Sequence, residues 1–211
     1  MKIRILSRDC TTLYSHECAN NTVKLTLEKA VKEGVNLARV VLDGEDLEGA
    51  DLHGAIMQNS FLKNTNFKKA NFSGAFLSGS SFEGSNLEQS NFEESNIEDV
   101  CFRDTGLRQS NFRKALGTSA YFHNAILEDA NMQEADFRFT SFSGVLTQNN
   151  MRGANFKGAI LRRAYFKLTD FQGVNLEDTD SRCADFESAI LEGAKLKGIN
   201  LMGANLKNTK F

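Results

Sequence analysis

The sequence contains no proline and no tryptophan in 211 residues. Proline cannot donate a backbone hydrogen bond, so its absence suits a chain whose N–H groups are nearly all engaged in β ladders. No apolar run approaches the roughly 18 residues that a membrane-spanning helix requires. The N-terminal stretch also turns polar too early for a secretion signal. The sequence therefore predicts a cytoplasmic protein that has no contact with a membrane.

The sequence also lacks a large excess of charge of one sign and a cysteine spacing typical of a paired motif. The net charge is −2, which argues against the basic field of a general nucleic-acid binder, so direct binding of nucleic acid is not expected. Cys10, Cys18, Cys101 and Cys183 show no C-x-x-C spacing. Four free thiols are expected in the cytoplasm, although the first two could in principle meet across a hairpin.

Motifs that carry chemistry are missing as well. The sequence has no glycine-rich phosphate loop, no nucleophile elbow and no H-E-x-x-H motif. Its histidines, His16, His53 and His123, are scattered along the chain. We therefore predict no catalytic residue, no enzyme activity, no cofactor and no metal site.

What the sequence does contain is a repeat with a period of five. Large apolar residues occur at every fifth position from 37 to 142 and again from 156 to 211. They fill 32 of these 34 positions. The exceptions are Gly117 and Ser181. Of the 17 phenylalanines, 14 fall on this phase, which explains why phenylalanine dominates the aromatic residues.

The residues around each large one complete a pattern. Two positions earlier the residue is small or β-branched, as at Ala50 and Thr65, and Asp or Asn often stands between, as at Asp51 and Asn66. This A-(D/N)-(L/F)-x-x pattern resembles that of the pentapeptide-repeat protein family over residues 35–211. The resemblance implies an all-β solenoid, a right-handed quadrilateral parallel β-helix.

The geometry of the repeat agrees with that resemblance. A period of five fits neither a helix, with a period of about 3.6, nor a strand, with a period of about 2. It fits a chain that turns a corner every five residues, so that four pentapeptides close one coil and successive coils stack as parallel strands. Residues 35–211 would then form about nine coils, each stabilised mainly by its neighbours.

The phase breaks once. Phe142 and Phe156 are 14 residues apart instead of 15, so we interpret residues 143–155 as lacking one residue and distorting one coil edge. Gly117 marks a second fault, where a core side chain is missing. Either fault can be a tolerated irregularity or a feature that a partner recognises. The candidate partner-binding residues are Gly117, Gln148, Asn149, Asn150 and Arg152.

The two ends differ. Residues 1–34 are expected to form a cap, with a hairpin of KIRIL and TTLYS and a short helix, LEKAVKE, that has Thr26 as its N-cap and is stopped by Gly34. This lead-in is similar to that of some bacterial and phage members of the family. The C-terminus shows no comparable cap. A last coil that exposes core residues predicts a homodimer or, alternatively, a frayed soluble end; these residues are Leu201, Leu206 and Phe211.

Charged residues spaced by 20 alternate in sign. The residues that follow the large ones in successive coils read Asp43, Lys63, Glu83 and Arg103. Opposite charges on adjacent strands attract, and like charges would repel. We therefore predict charge ladders that fix the register of the coils.

These features favour a non-enzymatic protein-interaction scaffold with a protein partner. The family resemblance implies an alternative, because some relatives mimic DNA and act on DNA gyrase or topoisomerase, giving quinolone resistance. Those relatives resemble strongly acidic rods with a C-terminal dimerisation helix and, in several, projecting loops. The sequence lacks that helix, is expected to lack a loop insertion, and alternates its charges. A third possibility is a structural component of a larger assembly, such as a virion.

Overall fold

The chain turns a corner at every fifth residue and forms a right-handed quadrilateral parallel β-helix. The structure is a computed structural model that describes residues 1–143 and 151–211. In each pentapeptide the residue before the large one pairs with its counterpart in the next coil, as Asn71 does with Asn91. The residue two after the large one has a positive φ, for example 57° at Asn59. Gly, Asn and Asp tolerate this left-handed conformation best, which explains their recurrence there.

The solenoid has four faces, because four pentapeptides make one coil. We number the faces 1 to 4 from the pentapeptides 35–39, 40–44, 45–49 and 50–54, and most later pentapeptides lie over the one 20 residues before. Along most of the solenoid the large residue and the small residue two before it are buried. The residues that flank the large one point toward solvent. Each face therefore offers two outward columns, and each corner offers one more.

Phenylalanine rings fill the core from faces 2 and 4, which lie opposite each other. Neighbouring rings of the face 2 column are stacked with centroids 4.8–5.4 Å apart, and this column consists of Phe82, Phe102, Phe122, Phe142, Phe166 and Phe186. Rings from the two faces meet edge to face, as Phe102 and Phe112 do at 5.7 Å. Offset stacking and edge-to-face contact are the two favoured aromatic geometries. The core is thus continuous from coil to coil.

A small cap covers the first coil. Strands β1 (Lys2–Leu6) and β2 (Thr12–Glu17) form an antiparallel hairpin, and helix α1 (Val23–Lys32) follows. The backbone N–H of Val41 donates to the carbonyl of Leu6 at 3.0 Å, so β1 extends the hydrogen bonding of the first coil. Covering an open strand edge in this way prevents unwanted pairing with other chains. The expected cap of a hairpin and a helix is confirmed.

Helix α1 begins one turn earlier than expected. Its N-cap is Thr22, whose hydroxyl accepts a hydrogen bond from the backbone N–H of Leu25 at 3.1 Å. Thr26, the expected N-cap, lies inside the helix, where its hydroxyl is buried and donates to the carbonyl of Thr22 at 2.9 Å. The other end is as expected, because Gly34 follows the C-cap with a φ of 69°.

The described residues on either side of positions 144–150 pair at a spacing of 24 instead of 20, so our interpretation that residues 143–155 lack one residue was wrong. Asn131 pairs with Asn155, 24 residues later, and the next two faces keep that offset. A deficit of one and a surplus of four give the same phase in a period of five, so periodicity cannot distinguish them. Met151 is fully buried and is a core residue of this coil. It lies between the two runs of large residues, 37–142 and 156–211, that the repeat pattern identified.

Candidate protein-binding surface

Charges on faces 2, 3 and 4 form the expected ladders. Lys63 Nζ lies 2.6 Å from Glu83 Oε2, and its hydrogen bond holds the pKa of Glu83 below the usual value. The same arrangement recurs in five further pairs: Lys68–Glu88, Arg108–Glu128, Arg113–Glu93, Lys157–Glu177 and Lys167–Glu187. Solvent-exposed pairs of this kind contribute little energy individually. Their alternation opposes a shift of one coil against the next.

Face 1 breaks this rule with a column of three arginines. Arg138, Arg162 and Arg182 occupy the same outward position in three successive coils. The pairing of Asp136 with Ile160, and of Ile160 with Asp180, shows this alignment. We call these three residues the arginine column. Like charges stacked at the strand spacing of about 4.8 Å repel each other. The column therefore cannot be explained by coil register, and sequence reasoning missed it because it crosses the 24-residue coil.

Two aspartates hold the arginine column in place. Asp136 accepts hydrogen bonds from Arg138 Nε at 2.9 Å and Nη2 at 2.7 Å. Asp180 accepts from Arg182 Nε at 2.8 Å and from Arg162 Nε at 2.5 Å. The hydrogen bonds from both arginines hold the pKa of Asp180 well below its usual range. Because two guanidinium groups share one carboxylate, the column keeps an excess of positive charge.

Replacing Asp180 by asparagine is expected to lower the free energy of unfolding at neutral pH by about 1 kcal/mol, because charge-assisted hydrogen bonds are lost. The folded pKa is depressed, so this stabilisation is complete above the ordinary carboxyl pKa of about 3.9 and declines as the pH falls toward the folded value. Urea unfolding of both proteins across this range checks the prediction. A difference that stays constant down to about pH 2 would contradict it.

The corner between faces 1 and 2 joins the arginine column to an aromatic surface. At this corner the guanidinium of Arg163 lies over the ring of Phe139, 5.6 Å from its centroid. Tyr121 and Tyr165 lie on face 2 beside it, and Leu168 lies at the far corner of that face. We call Tyr121, Phe139, Tyr165 and Leu168 the aromatic patch. Their exposed fractions lie between 44% and 52%.

Two members of the aromatic patch occupy strained backbone positions. Phe139 has a φ of 60° and Leu168 a φ of 64°, in the left-handed region that most corners give to small or polar residues. A non-glycine residue there costs about 1–2 kcal/mol, and for a bulky side chain the conformation is rare. Neither side chain offsets that cost by full burial. Such strain is concentrated at functional sites in proteins.

The structure places the predicted partner-binding residues in different environments. Gly117 is buried in the core, where a Cβ would lie 2.6 Å from Cδ1 of Phe137, so it presents no surface to a partner. Arg152 is exposed on face 3, and its Nη2 donates to Gln172 at 3.2 Å. The remaining three lie outside the described residues: Gln148, Asn149 and Asn150. Sequence reasoning found none of the aromatic patch, although bulky residues at corner positions are a signal visible in the repeat.

The predicted dimer end is apolar and accessible. Leu201 is half-buried, Leu206 is 36% exposed and Phe211 is 65% exposed. All three occupy the core phase in the last coil, where the described chain supplies no further coil to cover them. Self-association through these residues stays a prediction.

The described histidines make ordinary polar contacts. His53 Nδ1 lies 2.9 Å from Ser73 Oγ, and His123 Nδ1 lies 2.6 Å from the carbonyl of Ser143. Within residues 1–143 and 151–211, no group of three or more His, Cys, Asp or Glu residues is placed to hold a metal ion. In that same part of the chain, no helix has the length and apolar character needed to cross a membrane.

The fold and its outward columns define a β-solenoid repeat protein. Residues 55–132 match the family model for the pentapeptide repeat region, and residues 33–68, 149–180 and 182–211 match that for pentapeptide repeats. The chain belongs to the pentapeptide-repeat family. A comparison with curated protein sequences finds no match.

Several solved structures are similar to the chain. HetL, involved in regulating heterocyst differentiation in the cyanobacterium Nostoc sp. strain PCC 7120, is 25% identical with a TM-score of 0.47, covering 92% of this chain and 95% of HetL. Full-length QnrB1, a plasmid-mediated fluoroquinolone resistance protein, is 19% identical with a TM-score of 0.43, covering 78% and 92%. A protein of the Arabidopsis thaliana thylakoid lumen is 24% identical with a TM-score of 0.37, covering 64% and 70%. These likenesses concern the fold.

Proposed function

We propose that this protein is a non-enzymatic interaction scaffold, and that its solenoid presents the aromatic patch to a protein partner. The observation that carries the proposal is Leu168, an exposed leucine in a left-handed conformation. Glycine at that position would relieve the strain and remove apolar surface from water. Leu168 therefore lowers stability both through backbone strain and through exposed apolar surface. A contact with a partner protein explains why leucine stands there.

The composition of the surface supports the same proposal. Tyrosine, phenylalanine and arginine are enriched at protein interfaces, and tyrosine and arginine dominate the residues whose truncation costs most binding energy. The aromatic patch and the arginine column combine these residue types on adjoining faces. The solenoid also holds them on a rigid frame, which reduces the entropy lost when a partner binds.

The alternative of a DNA mimic acting on a topoisomerase is less well supported by the charges. Mimicry of phosphates requires a surface of one negative sign, whereas faces 2, 3 and 4 alternate and face 1 carries the arginine column. The sequence was expected to lack an insertion that such relatives have. The four extra residues of the 24-residue coil contradict that expected difference. The roles in a larger assembly and in the cytoplasm stay predictions.

Replacing Leu168 by glycine is expected to raise the free energy of unfolding by about 0.5–1 kcal/mol and to weaken partner capture at the same time. The relief of left-handed strain exceeds the chain entropy that glycine adds to the unfolded state. The measurement pairs urea unfolding with capture of proteins from a lysate of cells that naturally contain the protein. Quantitative mass spectrometry compares what immobilised wild type and variant retain.

The matched control is Lys69→Gly, which relieves the same backbone strain at a corner five coils away, where φ is 59°. It should gain stability and retain every protein that the wild type captures. Tyr165→Ser should lose the same proteins as Leu168→Gly. If Leu168→Gly captures those proteins as well as the wild type does, the aromatic patch is not the binding surface.

A further inference from the structure

We propose that the arginine column binds the carboxylates of an extended acidic segment of the partner protein. The inference rests on the proposed scaffold function, because the column adjoins the aromatic patch through the contact of Arg163 with Phe139. It adds the chemical class of what is bound. An acidic peptide is the ligand that the charge of face 1 selects.

The column exceeds what the fold itself requires. In the corresponding columns of the other three faces, no lysine or arginine is followed by another in the next coil, and several are followed by a glutamate, as Lys63 is by Glu83. On face 1, three arginines follow one another in successive coils with no negative residue between them, and Glu98 lies in that column two coils below Arg138. In the three coils of the column, these arginines and Arg163 outnumber the acidic residues of face 1, Asp136 and Asp180, by two charges. Arg162 pairs with Asp180 of the next coil, but the two charges in excess are not required by such pairing between coils.

The guanidinium groups are already oriented before any ligand binds. Asp136 fixes Arg138 from the side, and Asp180 fixes both Arg162 and Arg182. A guanidinium has five N–H donors in a planar fork, so each retains donors for a second carboxylate. The side chains of Arg138 and Arg162 remain 45% and 46% exposed. Holding them in advance reduces the entropy lost on binding.

The dimensions suit a short extended segment. Three coils at about 4.8 Å spacing place the outer arginines about 10 Å apart, and side chains on one side of an extended peptide recur about every 6.8 Å. Two acids separated by one residue therefore span the column within the reach of arginine side chains. Apolar residues lie beyond both ends of the column on the same face, with Leu116 50% and Met202 67% exposed. An acidic segment flanked by apolar residues matches this order.

The same face is unsuited to nucleic acid. Asp136 and Asp180 lie beside Arg138 and Arg182 in the neighbouring column, and Glu98 and Asp99 lie two coils below on face 1. Phosphates along a nucleic-acid strand would meet these carboxylates, whereas a binder of phosphate backbones needs a continuous positive field. A peptide that carries its charge over a few residues avoids them. The column therefore favours a protein segment.

The test uses a fluorescein-labelled peptide in which three glutamates alternate with serine between two terminal leucines. Fluorescence polarisation measures its binding to the full chain at an ionic strength of about 0.1 M, where exposed charges more than about 10 Å apart are largely screened. The test variant replaces the arginine column by glutamine: Arg138→Gln, Arg162→Gln and Arg182→Gln. We expect its affinity for the peptide to fall at least about tenfold, which corresponds to the loss of charge-assisted hydrogen bonds.

The matched control removes the same charge from the alternating ladders: Arg103→Gln, Arg108→Gln and Arg113→Gln. Its affinity should change less than about twofold, since net charge alone acts weakly at a screened distance. An equal loss in both variants would overturn the proposal, as would failure of the wild type to bind the peptide. Circular dichroism of each variant shows that the solenoid is intact.

A single-stranded oligonucleotide of the same charge separates the two ligand classes. Tighter binding of the oligonucleotide than of the peptide would assign the column to nucleic acid and overturn the proposal. The scaffold function is tested independently by Leu168→Gly. If the peptide does not bind while Leu168→Gly still loses its captured proteins, the scaffold stands and the acidic-segment inference falls.

Discussion

Replacing Phe122 by alanine is expected to lower the free energy of unfolding by about 3–5 kcal/mol, the usual cost of a large cavity in a packed core. Phe122 is fully buried and contacts four other rings. It stacks with Phe102 at 4.8 Å and with Phe142 at 4.9 Å, and meets Phe112 and Phe137 edge to face. Alanine would interrupt the face 2 column and remove contacts to both neighbouring coils.

The measurement is urea unfolding followed by far-UV circular dichroism, because the chain contains no tryptophan to report by fluorescence. Phe122→Leu keeps most of the volume and is expected to cost less than about 1.5 kcal/mol. The coils stabilise one another only through their neighbours, so the alanine variant can also broaden the transition. Equal losses for alanine and leucine would show that ring stacking and volume at this site matter less than we infer.

Replacing Gly117 by leucine is expected to destabilise the protein by about 1–3 kcal/mol, although leucine restores the repeat pattern. The space that a side chain would take is occupied by the ring of Phe137, which packs against Phe122 and Phe142. Ile97 lies on the other side, 3.3 Å from where a Cβ would stand. Leucine would therefore overpack the coil instead of completing it.

A double-variant cycle separates overpacking from other effects. Phe137→Leu alone should leave a void and destabilise, whereas Gly117→Leu combined with Phe137→Leu should recover part of both losses, because each side chain then occupies its own coil. Urea unfolding of the four proteins gives the coupling energy. Losses that simply add would show that Gly117 and Phe137 do not share one space.

The outcome at these two residues shows what the repeat pattern can and cannot predict. The period of five predicted that position 117 points inward, and the structure confirms that the residue is buried. The pattern also suggested a fault that a partner recognises, whereas the ring of Phe137 from the next coil fills the gap. Which side chain occupies a space between coils depends on contacts between residues 20 apart, and a local pattern does not contain them.

The 24-residue coil shows the same limit at the level of register. Position along the repeat is known only within a multiple of five, so one residue too few and four too many are equivalent in sequence. The pairing of Asn131 with Asn155 removes the ambiguity, since the N–H of Met132 donates to the carbonyl of Asn155 and the N–H of Asn155 donates to the carbonyl of Ala130. That offset aligns Arg138 with Arg162 and Arg182, and so creates the arginine column. The candidate surface could not be derived from the sequence before the register across this coil was known.

The sequence by itself determined the solenoid, the inward phase of its large residues and the charge ladders. All three follow from a repeat in which every residue's direction is set by its position in the pentapeptide. The tertiary structure decided which residues lie side by side on the surface. It placed Tyr121 and Tyr165 in one column and Phe139 and Leu168 at strained corners beside it. The physical reason is that these residues are one or two coils apart in the chain, so their proximity exists only after the coils have stacked.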